Sequence, residues 1–241
     1  MNLPKKITPC PIIEAIVEIR FSINVPTSAV FGIIYNQIKE KYIEYEELPI
    51  LELPRTILET DEKLKFQPHY KLFSDNYIIQ IGYNMISISI NNKYLGWTNF
   101  NNEIDYVVNI LKSSGIVKKI NRVGMRYIDF FEKVDIFNNI KLKISMNDEP
   151  FESISKYFRT ETKNENFNVL LQISNKAEIK TKKLEKISGS LIDYDISRNI
   201  ESNDFFENYS KILNDAHKIL KENFFLNLLD NEFLTNLNPE Y

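Results

Sequence analysis

Seven charged residues fall on three stretches that read as β-strands. In 11–21, PIIEAIVEIRF, the residues Glu14, Glu18 and Arg20 share one parity, opposite Ala15, Val17, Ile19 and Phe21. In 120–131, INRVGMRYIDFF, Arg122 and Arg126 stand opposite Val123, Met125 and Tyr127. In 191–197, LIDYDIS, Asp193 and Asp195 stand opposite Ile192, Tyr194 and Ile196. Side chains of a strand alternate between its two faces, so each stretch has one face fit for a core and one that carries charge. If the apolar faces all meet helices, four acids and three arginines share the other face. Guanidinium forks suit phosphate or carboxylate. Carboxylates beside them orient the forks or hold a divalent ion. The same residues also fit a purely structural reading, because a solvated sheet face is normally polar and each cross-strand ion pair contributes only about 0.2–1 kcal/mol.

Composition narrows the function classes. The 241 residues are 43% hydrophobic, enough for a sizeable core. A net charge of -3 implies no general nucleic-acid affinity and no attraction to a membrane surface. Cys10, the one cysteine, lies between Pro9 and Pro11 and reads as a buried or incidental thiol, so no internal disulfide framework exists. With two histidines and one cysteine, a structural zinc site is not expected, and no cofactor is implied. Six glycines are few, and neither GxxxxGK[ST] nor GxGxxG occurs. MNLPKKITPC lacks the apolar run of a signal peptide, and no stretch reaches membrane-spanning length, so a cytoplasmic protein is expected. Trp97 reads as a core anchor and His217 as a helix-side histidine that makes one hydrogen bond.

The elements that must position the charges follow from periodicity. Pro26, Thr27 and Ser28 open a helix whose apolar stripe is Val30, Phe31, Ile34, Tyr35, Ile38 and Tyr42. The acidic stretch 44–54, broken by Pro49 and Pro54, reads as a loop. Strands are expected over 63–73, 77–83 and 85–90. A second helix follows Gly96-Trp97, with Ile104, Val107, Val108 and Leu111 inward, and Gly115 ends it. Beyond the strand at 120–131, strands are expected over 138–146, 166–174 and 184–197, with a short helix over 151–158. Lys180, Lys182 and Lys183 read as a solvated hairpin tip. The chain closes with a long helix over 204–226, striped by Phe205, Phe206, Tyr209, Ile212, Leu213, Ala216, Leu220 and Phe224, and a short helix from Asp230.

This order predicts an α+β fold. A curved antiparallel sheet carries long helices on one face, in the manner of TATA-binding-protein-like or helix-grip folds. One domain over 1–241 is expected, with 1–116 and 117–241 as pseudo-repeat halves in which Arg20-Phe21 answers Arg126-Tyr127.

Several short motifs carry a resemblance. Pro11-Ile12-Ile13-Glu14-Ala15 with Glu18-Ile19-Arg20-Phe21, Tyr94-Leu95-Gly96-Trp97, Arg122-Val123-Gly124-Met125-Arg126-Tyr127-Ile128, Asp193-Tyr194-Asp195, and Ala216-His217 with Phe224 occur in that order. Together the chain resembles a sporadically distributed, functionally uncharacterised prokaryotic family. The resemblance supplies no catalytic residue. It implies an accessory component of the kind linked to defence or mobile elements, and it makes the charged strand positions part of a family pattern.

Three functions remain open. One is a non-enzymatic component that binds a protein or small polar ligand. Another is a phosphate- or nucleotide-handling enzyme, with the arginines on phosphate and the acids on a divalent ion. The last is a structural homo-oligomer, a homodimer in its simplest form, that buries its sheet face. The charged faces lack lysine and the chain lacks a glycine-rich phosphate loop, which favours the first.

Overall fold

The computed structural model describes residues 3–147, 149–150, 154–180, 185–201 and 204–241. In chain order its elements are β1 (Ile12–Ile23), α1 (Thr27–Ile38), β2 (Glu44–Glu47), α2 (Arg55–Thr60), β3 (Tyr70–Phe73), β4 (Tyr77–Ile81), β5 (Met85–Ile90) and α3 (Trp97–Ser113). Then come β6 (Val117–Glu132), β7 (Ser145–Met146), β8 (Glu149–Pro150), β9 (Tyr157–Asn164), β10 (Phe167–Lys180), β11 (Lys186–Asn199), α4 (Phe205–Lys221) and α5 (Asn231–Asn236). Among the described strands, nine form one open antiparallel sheet in the order β2-β3-β4-β5-β1-β6-β11-β10-β9, and β7-β8 is a separate pair. This is the expected α+β fold. No described helix is long and apolar enough to cross a membrane.

The chain gathers into two compact units. The first holds Met1–Glu14, Arg126–Ile196 and Asn214–Tyr241, and the second Ala15–Met125 and Ser197–Leu213. Each unit therefore takes residues from both the 1–116 and the 117–241 stretch.

In the second unit, β1 sets the core. Ala15, Val17, Ile19 and Phe21 are each no more than 2% exposed, as the alternation requires. Burying a Val, Ile or Phe side chain is worth roughly 1.5–3 kcal/mol. Strand β5 lies beside β1 in register Glu18↔Ser87 and Arg20↔Met85. Val30, Ile34 and Ile38 of α1 and Ile104, Val107, Val108 and Leu111 of α3 are buried, and the two helices pack on each other. Trp97 is half-buried at the start of α3, edge-on to Phe100. Gly115, at φ +68°, turns the chain out of α3 into β6, and its carbonyl accepts from the Asn24 side chain.

Several expectations in this unit are corrected. The stretch 44–54 is not a loop: Glu44–Glu47 pairs with Tyr70–Phe73 as β2, and Pro49 begins a 3₁₀ turn over Pro49–Glu52. The prolines fall just outside the strand, where a missing N–H costs nothing. Only the end of 63–73 is a strand. The Asp61 carboxylate accepts from the Lys63 N–H, and the Lys65 N–H bonds the Asp61 carbonyl, so 61–67 coils before Pro68 lets β3 begin.

In the first unit, Val169, Ile173, Ile192, Tyr194 and Ile196 line the sheet side of the core. Ala216, Leu220, Phe224, Phe225, Leu228 and Leu234 line the helix side. The expected helix over 204–226 changes character: α4 stops at Lys221 and a π-helical stretch, Glu222–Leu228, continues it, with the Leu229 N–H bonding the Phe224 carbonyl. The expected strand over 138–146 shrinks to β7, because the Lys141 N–H bonds the Leu228 carbonyl and Ile140 bridges Leu229 instead. Of the short helix expected over 151–158, Tyr157 and Phe158 open β9, and 151–153 lie outside the described residues. Lys182 and Lys183 of the expected hairpin tip also lie outside them.

The glycines give a test of the packing. A Cβ at Gly82 would drive into the Gln67 carbonyl oxygen and one at Gly189 into the Phe131 carbonyl oxygen, whereas Gly32, inside α1, faces open space. Gly32→Ala is expected to raise stability by about 0.5–1 kcal/mol, the difference in helix propensity. Gly82→Ala and Gly189→Ala should each lower the urea midpoint. Equal midpoints for all three variants would contradict this packing.

Candidate functional site on the charged strand face

The seven expected residues fall into two groups, one in each compact unit. In the second unit, Glu18 Oε1 accepts from Arg20 Nε at 2.6 Å and from Arg122 NH1 at 3.0 Å. The Arg20 guanidinium lies over the Phe66 ring, 4.8 Å from its centroid, a favourable placement for a cation. Arg20 and Glu18 sit two residues apart on the face of β1 that the core residues leave, so parity alone brings them together.

In the first unit, Arg126 grips Asp193 with a two-pronged fork, Nε to Oδ1 at 2.8 Å and NH2 to Oδ2 at 2.7 Å. The Asp193 hydrogen bonds raise the affinity of Arg126 for its proton, and the charges of Glu14 and Asp195 add to this, against an opposing contribution from burial. Gln172 of β10 donates to Asp193 Oδ2 at 2.9 Å. The exposed Tyr157 of β9 donates its hydroxyl to Gln172 Oε1 at 2.6 Å. A chain of side-chain hydrogen bonds thus runs Tyr157–Gln172–Asp193–Arg126. Asp193 is 3% exposed, not solvated as its parity implied, because Arg126 and Gln172 cover it.

Three participants were not anticipated. Gln172 alternates with Leu171 and Ile173, so its parity places it on the polar side, but a lone glutamine carries no signal. Tyr157 was hidden by the helical reading of 151–158. The third, Asp129, shares the parity of Val123, Met125 and Tyr127, which put a carboxyl on the core side; RYIDFF therefore shows it to alternation alone. Asp129 is 4% exposed. Burial pushes its carboxyl up to about 8, and the charge on Asp193 adds to this. The same burial, with Asp129 nearby, raises the Tyr194 phenol.

His217 faces the Tyr127 hydroxyl through Nδ1 at 3.3 Å, and burial, with Lys221 nearby, lowers it to about 3. His69 is buried edge-on to Tyr83, neither ring nitrogen has a hydrogen-bond partner among the described residues, and burial lowers its pKa. Cys10 is exposed. Among the described residues no group of three or more His, Cys, Asp or Glu side chains is placed to hold a metal ion.

No family model and no curated protein matches the chain, so the meaning of this arrangement rests on its own geometry.

Two outcomes follow. Arg126→Ala strands the Asp193 carboxylate beneath the surface with only Gln172 as donor, and should cost about 1–3 kcal/mol in chemical denaturation. Adding Asp193→Leu to that variant should recover part of the loss; no recovery would mean that the fork does not neutralise a buried charge. The second outcome concerns pH. Asp129 keeps its proton in the fold, while the unfolded chain releases it above the usual 3.8, so its contribution is full below that value and erodes as pH rises to about 8. His217 and His69 act oppositely, since the fold refuses protons that the unfolded chain takes below 6.5. The opposing histidine contribution fades over the pH unit above 6.5, so among these three groups the Asp129 slope dominates between about pH 7 and 8. There the wild type should lose stability at less than about 1.4 kcal/mol per pH unit, and Asp129→Asn should flatten that loss. A wild type whose melting temperature holds level over this range would refute the protonated state.

Proposed function

We propose that the chain is a non-enzymatic binding component of the cytoplasm, an accessory protein that uses its charged strand face to hold a protein or small polar ligand. The observation that carries this reading is the engagement of Asp193. Both of its oxygens are taken by the Arg126 fork, and Oδ2 also accepts from Gln172. A carboxylate bound in this way is poorly placed to take a proton from a substrate. Glu18 is similarly occupied, with one oxygen shared by Arg20 and Arg122. What the bonds do provide is order. Tyr157 and Arg126, both open to solvent, are held at the two ends of a hydrogen-bonded chain, and a pre-oriented polar face loses less entropy when a ligand docks.

The test is a melting-temperature screen with nucleotides, inorganic phosphate and small dicarboxylates, with and without magnesium, because a ligand of the native state raises its stability. Any compound that shifts the transition should be recovered intact after prolonged incubation, and the shift should vanish in Tyr157→Phe. Turnover of a compound that depends on Arg126 or Asp193 would replace this reading with an enzymatic one.

A further inference from the structure

Strand β2 ends the sheet, so one side of its backbone is open to pairing. All four of its residues are exposed, as is Ile43 just before it, at 76%. Its register fixes where the side chains point. Tyr45 lies opposite the buried Leu72, and Glu47 opposite Tyr70, on the side that α1 covers; Glu44 and Glu46 lie opposite Phe73 and Lys71 on the other side. Lys71 reaches Glu46 at 3.7 Å across that pair.

Beside the edge stands a set of stacked rings. Phe31 of α1 lies flat on Tyr70, with centroids 3.7 Å apart, and Tyr35 stacks on Phe31 at 5.2 Å. Tyr45 closes the set, 5.4 Å from Tyr35 and 5.6 Å from Phe31, and remains 48% exposed. Its ring is thus held in place while about half of the residue meets solvent.

Charged edge strands commonly serve only to repel other chains. This one departs from a pure guard, because Ile43 and Tyr45 place exposed apolar surface on the open edge among the glutamates. Residues 40–52 carry five glutamates and one lysine. A second copy of the chain added antiparallel at β2 would set glutamate against glutamate, which is unfavourable. A basic segment would meet the opposite sign, and its cations would find aromatic faces as well as carboxylates.

We infer that β2 receives an extended basic segment of a partner protein as an added strand, with lysine or arginine opposite Glu44 and Glu46 and an apolar or aromatic residue against Tyr45. Main-chain bonding supplies affinity in this mode and the alternating side chains supply choice. The surface belongs to the second unit and uses none of the residues assigned to the charged strand face, so the two readings stand or fall separately.

Selection from a display library of random nine-residue peptides tests it, with the intact protein as target and the variant E44K/E46K/E47K as counter-target. Enriched peptides should alternate a basic with an apolar residue. They should bind the charge-reversed variant at least tenfold more weakly and lose binding when alternate backbone nitrogens are methylated. Tyr45→Ala should weaken them severalfold while Arg126→Lys leaves them unaffected. Circular dichroism and the unfolding midpoint would confirm that each variant is folded. If no peptide is enriched over the counter-target, the glutamates act only as a guard and the inference fails. It also fails if the enriched peptides are not basic, or if methylation leaves their binding unchanged, which would mark simple charge attraction in place of strand addition.

Discussion

A carboxylate cannot lie ionised beneath a protein surface without a partner, and the first unit is arranged around that constraint. Asp193 is covered, so Arg126 must face it, and the fork geometry requires β6 and β11 to present those two positions at one level. Gln172 then fills a remaining lone pair on Asp193, and Tyr157 fills one on Gln172. Once one charge is buried, four strands are tied to a common register by side chains as well as by their backbones. On the opposite face of β6, Asp129 meets the same constraint differently: no guanidinium among the described residues is bonded to it, and burial raises its hold on a proton.

The long strands were legible because their alternation is unambiguous. In β1 four inward residues and three charges never exchange parity, so the face of Glu18 and Arg20 follows from the sequence alone. The pairings Glu18–Arg122 and Arg126–Asp193 are a different matter. They depend on which strands lie side by side, and β1 next to β6 next to β11 is an order that tight-turn reasoning does not provide. The helices α1 and α3 were legible from their stripes and from Gly115. What alternation could not show was depth: Asp193 has the parity of a surface residue and the burial of a core one, because neighbouring side chains close over it.

The segments that depart from expectation are those where local and long-range partners compete. The Asp61 carboxylate accepts from the backbone within 61–67 and Asp135 accepts from it within 137–139, after which Ile140 and Lys141 pair with Leu229 and Leu228. Over 44–47 the reverse holds. Four residues with an acidic, loop-like composition become a strand because β3 offers a partner, and context then outweighs propensity. The aromatic set shows the same limit: periodicity places Phe31 and Tyr35 on a core stripe and composition places Tyr45 in a loop, so nothing in the sequence joins them.

The π-helical stretch Glu222–Leu228 has a consequence for the length of the chain. A helix bonded from each residue to the fifth before it accommodates one more residue per turn than its α counterpart. That surplus lets Phe224, Phe225 and Leu228 all reach the core, and it brings Asp230 to donate its N–H to the Asn139 carbonyl. Loss of one residue here would restore an ordinary α-helix and leave the residues beyond it close to their present angular register, because the wider turn absorbs the surplus residue. Leu234 would keep its side of the fold. The stretch is thus a place where the chain can change length by one codon without turning its last helix away from the core.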